Sequence, residues 1–487
     1  MRKALAGAVI AAASLIAAGA YAQKLIVPTP PTPPKAPEAP GSALLQALGP
    51  PPAPVVTLGP APEKPGFSAE LGTYPIQPTS RTRSAQEIFE RTKPDFPLDP
   101  EIAAARLKIV QFYKDNGFDI SLTSQETIPL LPQNWSKRTP EPLAGDYRMP
   151  YSVDSPFYQR IPKNWPKLEF PVKDYFQTSH ISTLGPVGDG SFGYGIGLVI
   201  GRAGDPVRQI ERRAKMPKPK MNLEKNRPNG RLLGLECPVL HRDRRWNTTT
   251  RIPDAENFRL VGNNVAGVAA YGVPRNAFDR VVIWIDDATK QATYTWRAYE
   301  QCDDATLGTR AGNWTGDYIV TEQLPGLGDR GGVNAANMAD LPKLIREGEL
   351  TNPNEPIRHV VGGPSRASGR KLWKAAIYPG RNWDHTIDGF NGGLIPYGML
   401  LQLDPSIDLQ KMYREKKLSL PAFRLLEAMQ NYGWMCDDSG RRDMDFKGQL
   451  SNRELEPYGG RYGVSEEVIK VVKDAKLYIV APLVKRG

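Results

Sequence analysis

The stretch RVVIWIDDATKQATYTWRAY, residues 280–299, decides the fold class of this chain. Residues 282–285 are β-branched and aromatic, and such side chains favour the extended backbone of a strand. The polar segment DDATKQ, residues 286–291, then reverses the chain, and a second run of the same character ends at Trp296. Two β-prone runs around a short polar turn predict a β-hairpin.

Short runs of the same kind recur along the chain, separated by turn residues. They are FGYGIGLVIGR (192–202), NNVAGVAAYGV (263–273), PIRHVV (356–361), LIPYGMLLQLD (394–404) and KLYIVAPLV (476–484). Helical patterns are few: an apolar period over 102–112 that stops at Asn116-Gly117, ADLPKLIREGEL (339–350) and LPAFRLLEAMQNYG (420–433). The spacing predicts a mostly β fold, an antiparallel β-sandwich or jelly roll with a few peripheral helices.

The first 22 residues carry the features of a signal peptide. Arg2 and Lys3 begin the chain, an apolar run follows, and Ala20-Tyr21-Ala22 has the small-x-small pattern of a cleavage site. The apolar run is interrupted and is shorter than the ~20 residues of a spanning helix, which argues against the alternative of a membrane anchor. We therefore predict a secreted or periplasmic bacterial protein, cleaved near Ala22 and without a later transmembrane segment.

Three segments follow the predicted leader. Residues 23–65 hold 14 prolines in 43 positions, and because proline fixes φ and lacks the amide donor, they predict a disordered linker. Residues 66–178 are predicted to form a helical and irregular segment that packs on the core. Residues 179–487 are predicted to form the β-sandwich domain.

The formal net charge of +11 predicts an acidic partner. Removing the leader, with Arg2 and Lys3, lowers this charge by two. Because export makes nucleic acid a poor partner, we expect a polysaccharide or another acidic envelope polymer. No pattern predicts a metal or another cofactor. Cys237, Cys302 and Cys436 lack C-x-x-C spacing, and which of them pair stays open.

The order of elements from about residue 279 to 440 follows a recognisable pattern. The hairpin ends in TYTWRAYE, and GVNAANMADLPKLIREGEL, IRHVV, IDGFNGGLIPYGMLLQLDP and YGWMCDDSG follow. This order resembles an uncharacterised family of secreted bacterial β-rich proteins with an Ile-x-His-Ala-like strand, Asp-Gly with Ile-Pro-x-Gly, and Tyr-Gly…Asp-x-Gly. The chain departs from the pattern at Val360, where alanine is usual. The resemblance implies export and a β-rich fold. It does not indicate any particular activity.

Two of the four histidines lie close together in the sequence, beside carboxylates and aromatic rings. Imidazole titrates near neutrality and suits acid–base catalysis, and loop tryptophans suit sugar rings. The predicted catalytic residues are His359, His385, Asp384 and Asp388, and the predicted substrate-binding residues are Trp383, Arg358, Arg381 and Tyr397. The alternative for His359 is a buried structural histidine. A metal site formed by the two histidines and Asp388 lacks the expected H-E-x-x-H spacing.

The leading hypothesis is an exported protein that acts on a polysaccharide in a groove around residues 359–388. A glycoside hydrolase would use the two aspartates, provided that the fold sets them roughly 5 to 9.5 Å apart. A polysaccharide lyase would use one of the two histidines or Tyr397 as base, with Arg358 or Arg381 neutralising the carboxylate of an acidic sugar. The alternative is a non-catalytic glycan-binding or cell-envelope structural protein on a proline-rich tether.

Overall fold

The computed structural model describes residues 73–74, 83–121, 137, 148–183, 195–201, 204–212, 249–253, 259–260, 281–296, 298–300, 314–316, 318–329, 331–368, 373–380, 393–483 and 485–486. The predicted leader, the predicted linker, residues 263–273, Cys237 and Cys302 lie outside these residues.

Strands dominate the described part of the chain. In chain order, β1 to β20 cover Thr73–Tyr74, Lys167–Glu169, Ser179–Ile181, Gly197–Gly201, Val207–Arg212, Thr249–Pro253, Arg259–Leu260, Val282–Asp286, Gln291–Trp296, Tyr299–Glu300, Trp314–Gly316, Tyr318–Gln323, Ile345–Arg346, Val361–Ser365, Leu400–Leu403, Trp434–Ser439, Met444–Phe446, Gly448–Gln449, Leu477–Val480 and Lys485–Arg486. Helices α1 to α6 cover Ala85–Thr92, Pro100–Asp115, Leu409–Arg414, Leu420–Asn431, Asn452–Leu455 and Gly460–Asp474. Short 3-10 helices cover Leu341–Lys343 and Glu456–Tyr458. The fold is β-rich, as predicted.

The predicted hairpin is present as β8 and β9, which pair antiparallel with Val282 opposite Thr295. These strands are part of a five-stranded sheet of order β12-β9-β8-β4-β7, in which β4 and β8 are parallel. Every residue of β8 is buried. Successive side chains of a strand point to opposite faces, so both faces of this sheet are covered.

The two faces of this sheet contribute to different apolar clusters. One face joins the main core through Leu198, Ile200, Ile283, Ile285, Ala292 and Tyr294. The opposite face joins a second cluster through Val199, Val282, Trp284 and Ile319. Ile210 and Trp314, from a four-stranded sheet of order β10-β11-β5-β6, complete this second cluster together with Ala298. The rings of Trp284 and Trp314 meet edge to face with centroids 5.6 Å apart, which is a favourable aromatic geometry.

A second five-stranded sheet, of order β14-β16-β15-β19-β2, lies in the C-terminal part of the chain. Helix α4 packs on β15 and on α6, and it matches the helix predicted over 420–433. Its first turn is capped by the Ser419 hydroxyl, which accepts from the Ala422 amide at 3.4 Å. Such a cap satisfies an amide that has no partner inside the helix.

Helix α2 confirms the apolar period predicted over 102–112. The Asp99 carboxylate caps its N-terminus, Pro100 occupies the first turn, and the helix ends immediately before Asn116. Ile109, Val110 and Tyr113 are buried. None of the helices in the described part of the chain is both long and apolar enough to cross a bilayer.

Two local predictions are wrong. Residues 339–350 form a 3-10 turn and strand β13 instead of a helix. In the run 356–361 only Val361 belongs to a strand, so His359 lies in the loop that precedes β14. In each case the tertiary contacts of buried polar side chains outweigh the local pattern.

The strand pairing is mixed. β14 pairs with β16 in parallel, and β17 pairs with β3 in parallel, whereas β15 is antiparallel to both β16 and β19. The sheets therefore contain parallel pairs beside the antiparallel pairing that the sequence predicts, because the chain returns to each sheet through long connections.

Candidate acid–base site

Most of the predicted site lies outside the described residues. His385, Asp384, Asp388, Trp383 and Arg381 all belong to residues 381–392. The catalytic and sugar-binding roles of these five residues stay predictions.

His359 lies in the interior, with 1% of its surface exposed. Its Nδ1 is 2.8 Å from the Val360 carbonyl oxygen and its Nε2 is 3.4 Å from Glu349 Oε2. Burial raises the pKa of Glu349, but the charge and hydrogen bond of His359 and the amide of Arg346 outweigh it and leave that pKa below its usual range. These surroundings are those expected for the alternative, a buried structural histidine. A catalytic role for His359 stays a prediction.

Two further predicted residues are described. Arg358 is half-buried. Tyr397 is buried, with 2% of its surface exposed, and its carbonyl oxygen accepts from the Ile377 amide at 2.7 Å. As the catalytic base of a lyase, the Tyr397 hydroxyl would have to act from the protein interior. None of the contacts given above joins Tyr397 to His359.

The structure brings together a different pair of titratable residues, His180 and Asp445. Strands β3 and β17 are parallel, and His180 and Asp445 are direct partners in their register. Paired residues on neighbouring strands project to the same face of the sheet. His180 Nδ1 lies 4.0 Å from Asp445 Oδ1, and the two side chains are 15% and 12% exposed. They are therefore adjacent, largely buried, and still reachable from solvent.

The Asp445 carboxyl group is held in the protonated form. Burial is the main cause that raises its pKa to about 8, against the opposing charge of Arg442. The carboxylates of Asp437 and Asp443 raise this pKa further, and the ammonium of Lys447 lowers it. Asp445 Oδ1 is buried and has no hydrogen-bond partner among the described residues. At neutral pH the Asp445 carboxyl group is therefore protonated, and none of the described residues hydrogen-bonds to its Oδ1.

The His180 imidazole is held in the neutral form. Burial lowers its pKa to about 4, and the guanidinium groups of Arg461 and Arg442 lower it further. Arg461 donates to the Tyr462 hydroxyl at 2.8 Å, and its guanidinium lies 4.7 Å from the centre of that ring. The Tyr462 ring is 46% exposed and lies 6.5 Å from the His180 ring. We call His180, Asp445, Arg442, Arg461 and Tyr462 the acid–base cluster.

The protonation states of the pair are the reverse of the usual ones. A free aspartate is ionised and a free histidine is partly protonated near neutral pH, whereas here the carboxyl group keeps its proton and the imidazole lacks one. The pair is therefore not an ion pair at pH 7, although the two groups are 4.0 Å apart. Neighbouring groups whose pKa values are pushed in opposite directions can serve as general acid and general base.

A buried network of four charges includes Lys447, which is two positions after Asp445 in the chain. Lys343 Nζ donates to Asp340 at 2.8 Å and to Asp437. Lys447 Nζ donates to Asp340 at 2.9 Å and forms an ion pair with Asp437 at 3.0 Å. The four side chains are 11% exposed at most. Two lysines and two aspartates balance in charge, which is the condition under which buried ions are tolerated.

Sequence reasoning missed the acid–base cluster for a definite reason. His180 and Asp445 are 265 positions apart, and only the pairing of β3 with β17 joins them. The available signals were weak: a histidine before one apolar residue in the otherwise polar run TSHIS (178–182), and carboxylates interleaved with apolar residues in RRDMDF (441–446). Neither signal indicates which distant segment would be its partner.

The other described features, a pocket and a cysteine, bring no adjacent acid and base together. A small apolar pocket is lined by Pro156, Ile377, Tyr378, Pro379, Gly398, Leu400, Met435, Val480, Pro482 and Leu483. It holds no acid–base pair, in contrast to the surroundings of His180 and Asp445. Among the described side chains, no group of three or more histidines, cysteines or carboxylates could hold a metal ion. Cys436 is a free, buried thiol, and burial raises its pKa.

Comparison of the chain with known proteins finds no matching family model, no matching curated protein and no matching solved structure.

Proposed function

We propose that this protein is exported and degrades a polysaccharide by acid–base catalysis, with His180 and Asp445 as the catalytic pair. The observation that carries the proposal is the reversed protonation of two adjacent, solvent-reachable groups. Strongly shifted pKa values at a partly exposed site are typical of catalytic centres. A proton donor beside a proton acceptor is what cleavage of a glycosidic linkage requires.

Three further features support a glycan as substrate. The chain carries a net charge of +11 and begins with a leader-like stretch, which fits an acidic polymer outside the cytoplasm. The exposed Tyr462 ring lies next to His180, and an exposed aromatic face is a suitable platform for a sugar ring. The groove predicted around residues 359–388 is retained as a second, untested part of the same proposal.

The proposed architecture is a β-sandwich. Its support is the second apolar cluster, in which Trp284 of one sheet meets Trp314 of the other. Two sheets that share an apolar layer of interdigitating side chains are the defining feature of a sandwich.

The test is incubation of the full chain with a panel of neutral and acidic polysaccharides, with new reducing ends and bound protein as readouts. Asp445→Asn and His180→Gln should each lower turnover by about 10²- to 10⁴-fold, the usual contribution of a general acid or base. Asp95→Asn is the matched control, because the Asp95 side chain is 89% exposed. All three variants should keep the wild-type circular dichroism spectrum.

Two results would contradict the proposal. Turnover that survives in both Asp445→Asn and His180→Gln would remove the catalytic role of the pair. Binding of a glycan by the wild-type chain without any cleavage would indicate the non-catalytic alternative, a glycan-binding protein of the envelope.

A further inference from the structure

We infer that the acid–base cluster recognises an acidic glycan and cleaves it by β-elimination at a uronate residue, with Arg442 binding the uronate carboxylate. This inference rests on the proposed function and specifies its substrate class and reaction. It is carried by the separation of His180 and Asp445 and by the charges that face them.

The separation of the pair disfavours hydrolysis. A hydrolase places its two groups on opposite sides of the glycosidic bond, about 5–5.5 Å apart when configuration is retained and about 6.5–9.5 Å apart when it is inverted. His180 Nδ1 and Asp445 Oδ1 are 4.0 Å apart and project from the same face of paired strands. A sugar linkage does not fit between them. Both groups can instead approach one side of a sugar ring.

A syn elimination, in which the proton and the departing oxygen lie on the same face of the ring, fits that arrangement. The proton that is removed and the oxygen that departs are attached to adjacent carbons of the uronate ring, so a base and an acid that lie side by side can serve both. The Asp445 Oδ1 atom has no hydrogen-bond partner among the described residues and is more than nine-tenths buried. In the proposed step the Asp445 carboxyl group, whose side chain is 12% exposed, donates to the glycosidic oxygen.

The charges around the pair fit a carboxylate. Arg442 is exposed, and its charge lowers the pKa of both His180 and Asp445, so it lies near both groups. A guanidinium that binds the uronate carboxylate offsets the charge that develops when the neighbouring proton is removed. Arg461, whose guanidinium lies 4.7 Å from the centre of the Tyr462 ring, adds positive charge near His180.

The step balances without a further reactant. A nitrogen of His180 takes the proton from the carbon that bears the carboxylate, and the electrons of that bond form a double bond to the neighbouring carbon. The bond from this second carbon to the glycosidic oxygen breaks, and the oxygen leaves with its electron pair and receives the Asp445 proton. His180 then loses its proton to solvent and Asp445 regains one. The products are an unsaturated uronate and a new reducing end.

The experiment compares polygalacturonate, alginate and hyaluronate with their carboxyl-reduced counterparts, using the full chain. Ultraviolet absorbance reports the unsaturated uronate, and a separate assay reports all new reducing ends. We expect absorbance with at least one carboxylated polymer and none with its reduced form. Arg442→Gln should raise KM for that polymer at least about tenfold, as expected for loss of one charge-assisted contact. Arg441→Gln, at the adjacent exposed position, is the matched control and should leave KM unchanged.

The outcomes separate this inference from the proposed function. New reducing ends without ultraviolet absorbance, or equal cleavage of the carboxyl-reduced polymers, would refute elimination and leave the polysaccharide-degrading function standing. An unchanged KM in Arg442→Gln would refute the role of that arginine. No cleavage of any polymer in the panel would overturn both proposals.

Discussion

Replacing Lys343 by Met should destabilise the protein by about 3–5 kcal/mol, because it leaves an uncompensated charge in the interior. Lys343 is fully buried and donates to Asp340 and Asp437, which are 1% and 0% exposed. Lys447 contacts the same two carboxylates. Without Lys343, one ammonium group would have to compensate two buried carboxylates.

The magnitude follows from the lost contacts. Lys343 makes a hydrogen bond to each of two carboxylates, and a hydrogen bond to a charged group contributes about 1.5–3 kcal/mol. Asp340 Oδ2 and Asp437 Oδ1 are already buried without a hydrogen-bond partner, so no other described donor replaces the lost ones. Burial raises the pKa of Asp340, but Lys343 and Lys447 outweigh it and hold that pKa well below its usual range.

Urea denaturation followed by circular dichroism measures the loss. The control is Lys476→Met, which removes the ion pair of Lys476 with Glu169, whose side chains are 57% and 55% exposed. Exposed pairs contribute at most about 1 kcal/mol, so the control should unfold close to the wild-type midpoint. The double variant Lys343→Met/Asp437→Asn restores charge balance, with Lys447 facing Asp340. It should lose less stability than the sum of the two single variants, by about 0.5–3 kcal/mol.

Two results would refute the reasoning on the buried network. The first is a Lys343→Met variant that unfolds at the same urea concentration as Lys476→Met. The second is strict additivity in the double variant, which would show that the Lys343 and Asp437 charges do not depend on each other.

Three more predictions concern the acid–base pair and the second apolar cluster. Burial raises the pKa of Asp445 to about 8 in the folded chain, against about 3.9 in the unfolded chain, so the folded chain holds a proton that the unfolded chain releases. The free energy of unfolding should therefore fall by up to about 1.4 kcal/mol per pH unit as the pH rises from ~4 to ~8, and Asp445→Asn should abolish this slope in urea titrations. Turnover should follow a bell-shaped pH profile in steady-state assays, rising near the His180 pKa of about 4 and falling near the Asp445 pKa of about 8. Trp284→Ala should cost about 3–5 kcal/mol in urea denaturation, because the ring is 1% exposed.

The local patterns of the chain predicted elements whose residues are neighbours in sequence. The hairpin at 282–296 and the helix at 420–431 could be predicted because each is closed by hydrogen bonds between nearby residues. The run 339–350 could not, because Lys343 is held by Asp437, which is 94 positions away. A helical pattern with such a lysine reads as an exposed face until its partner is known.

The candidate site divides in the same way. The sequence drew attention to His359 because histidine, aspartate and tryptophan cluster near it, yet it cannot show that this imidazole is buried against Glu349. The predicted loop at 381–392 lies outside the described residues. His180 and Asp445 gave no local signal, because their chemistry arises from each other and from the burial around them.

The sequence by itself determined the β-rich character, the hairpin, helices α2 and α4, the net positive charge and the leader-like N-terminus, because these depend on composition and on contacts between near neighbours. Only the tertiary structure decided that both faces of the β8 sheet are covered, that β3 pairs with β17, and that four charges meet in the interior. His180 and Asp445 in these strands are 265 positions apart, and Lys343 and Asp437 are 94 positions apart. A pKa depends on desolvation and on neighbouring charges in space, so the acid–base character of Asp445 exists only in the folded chain.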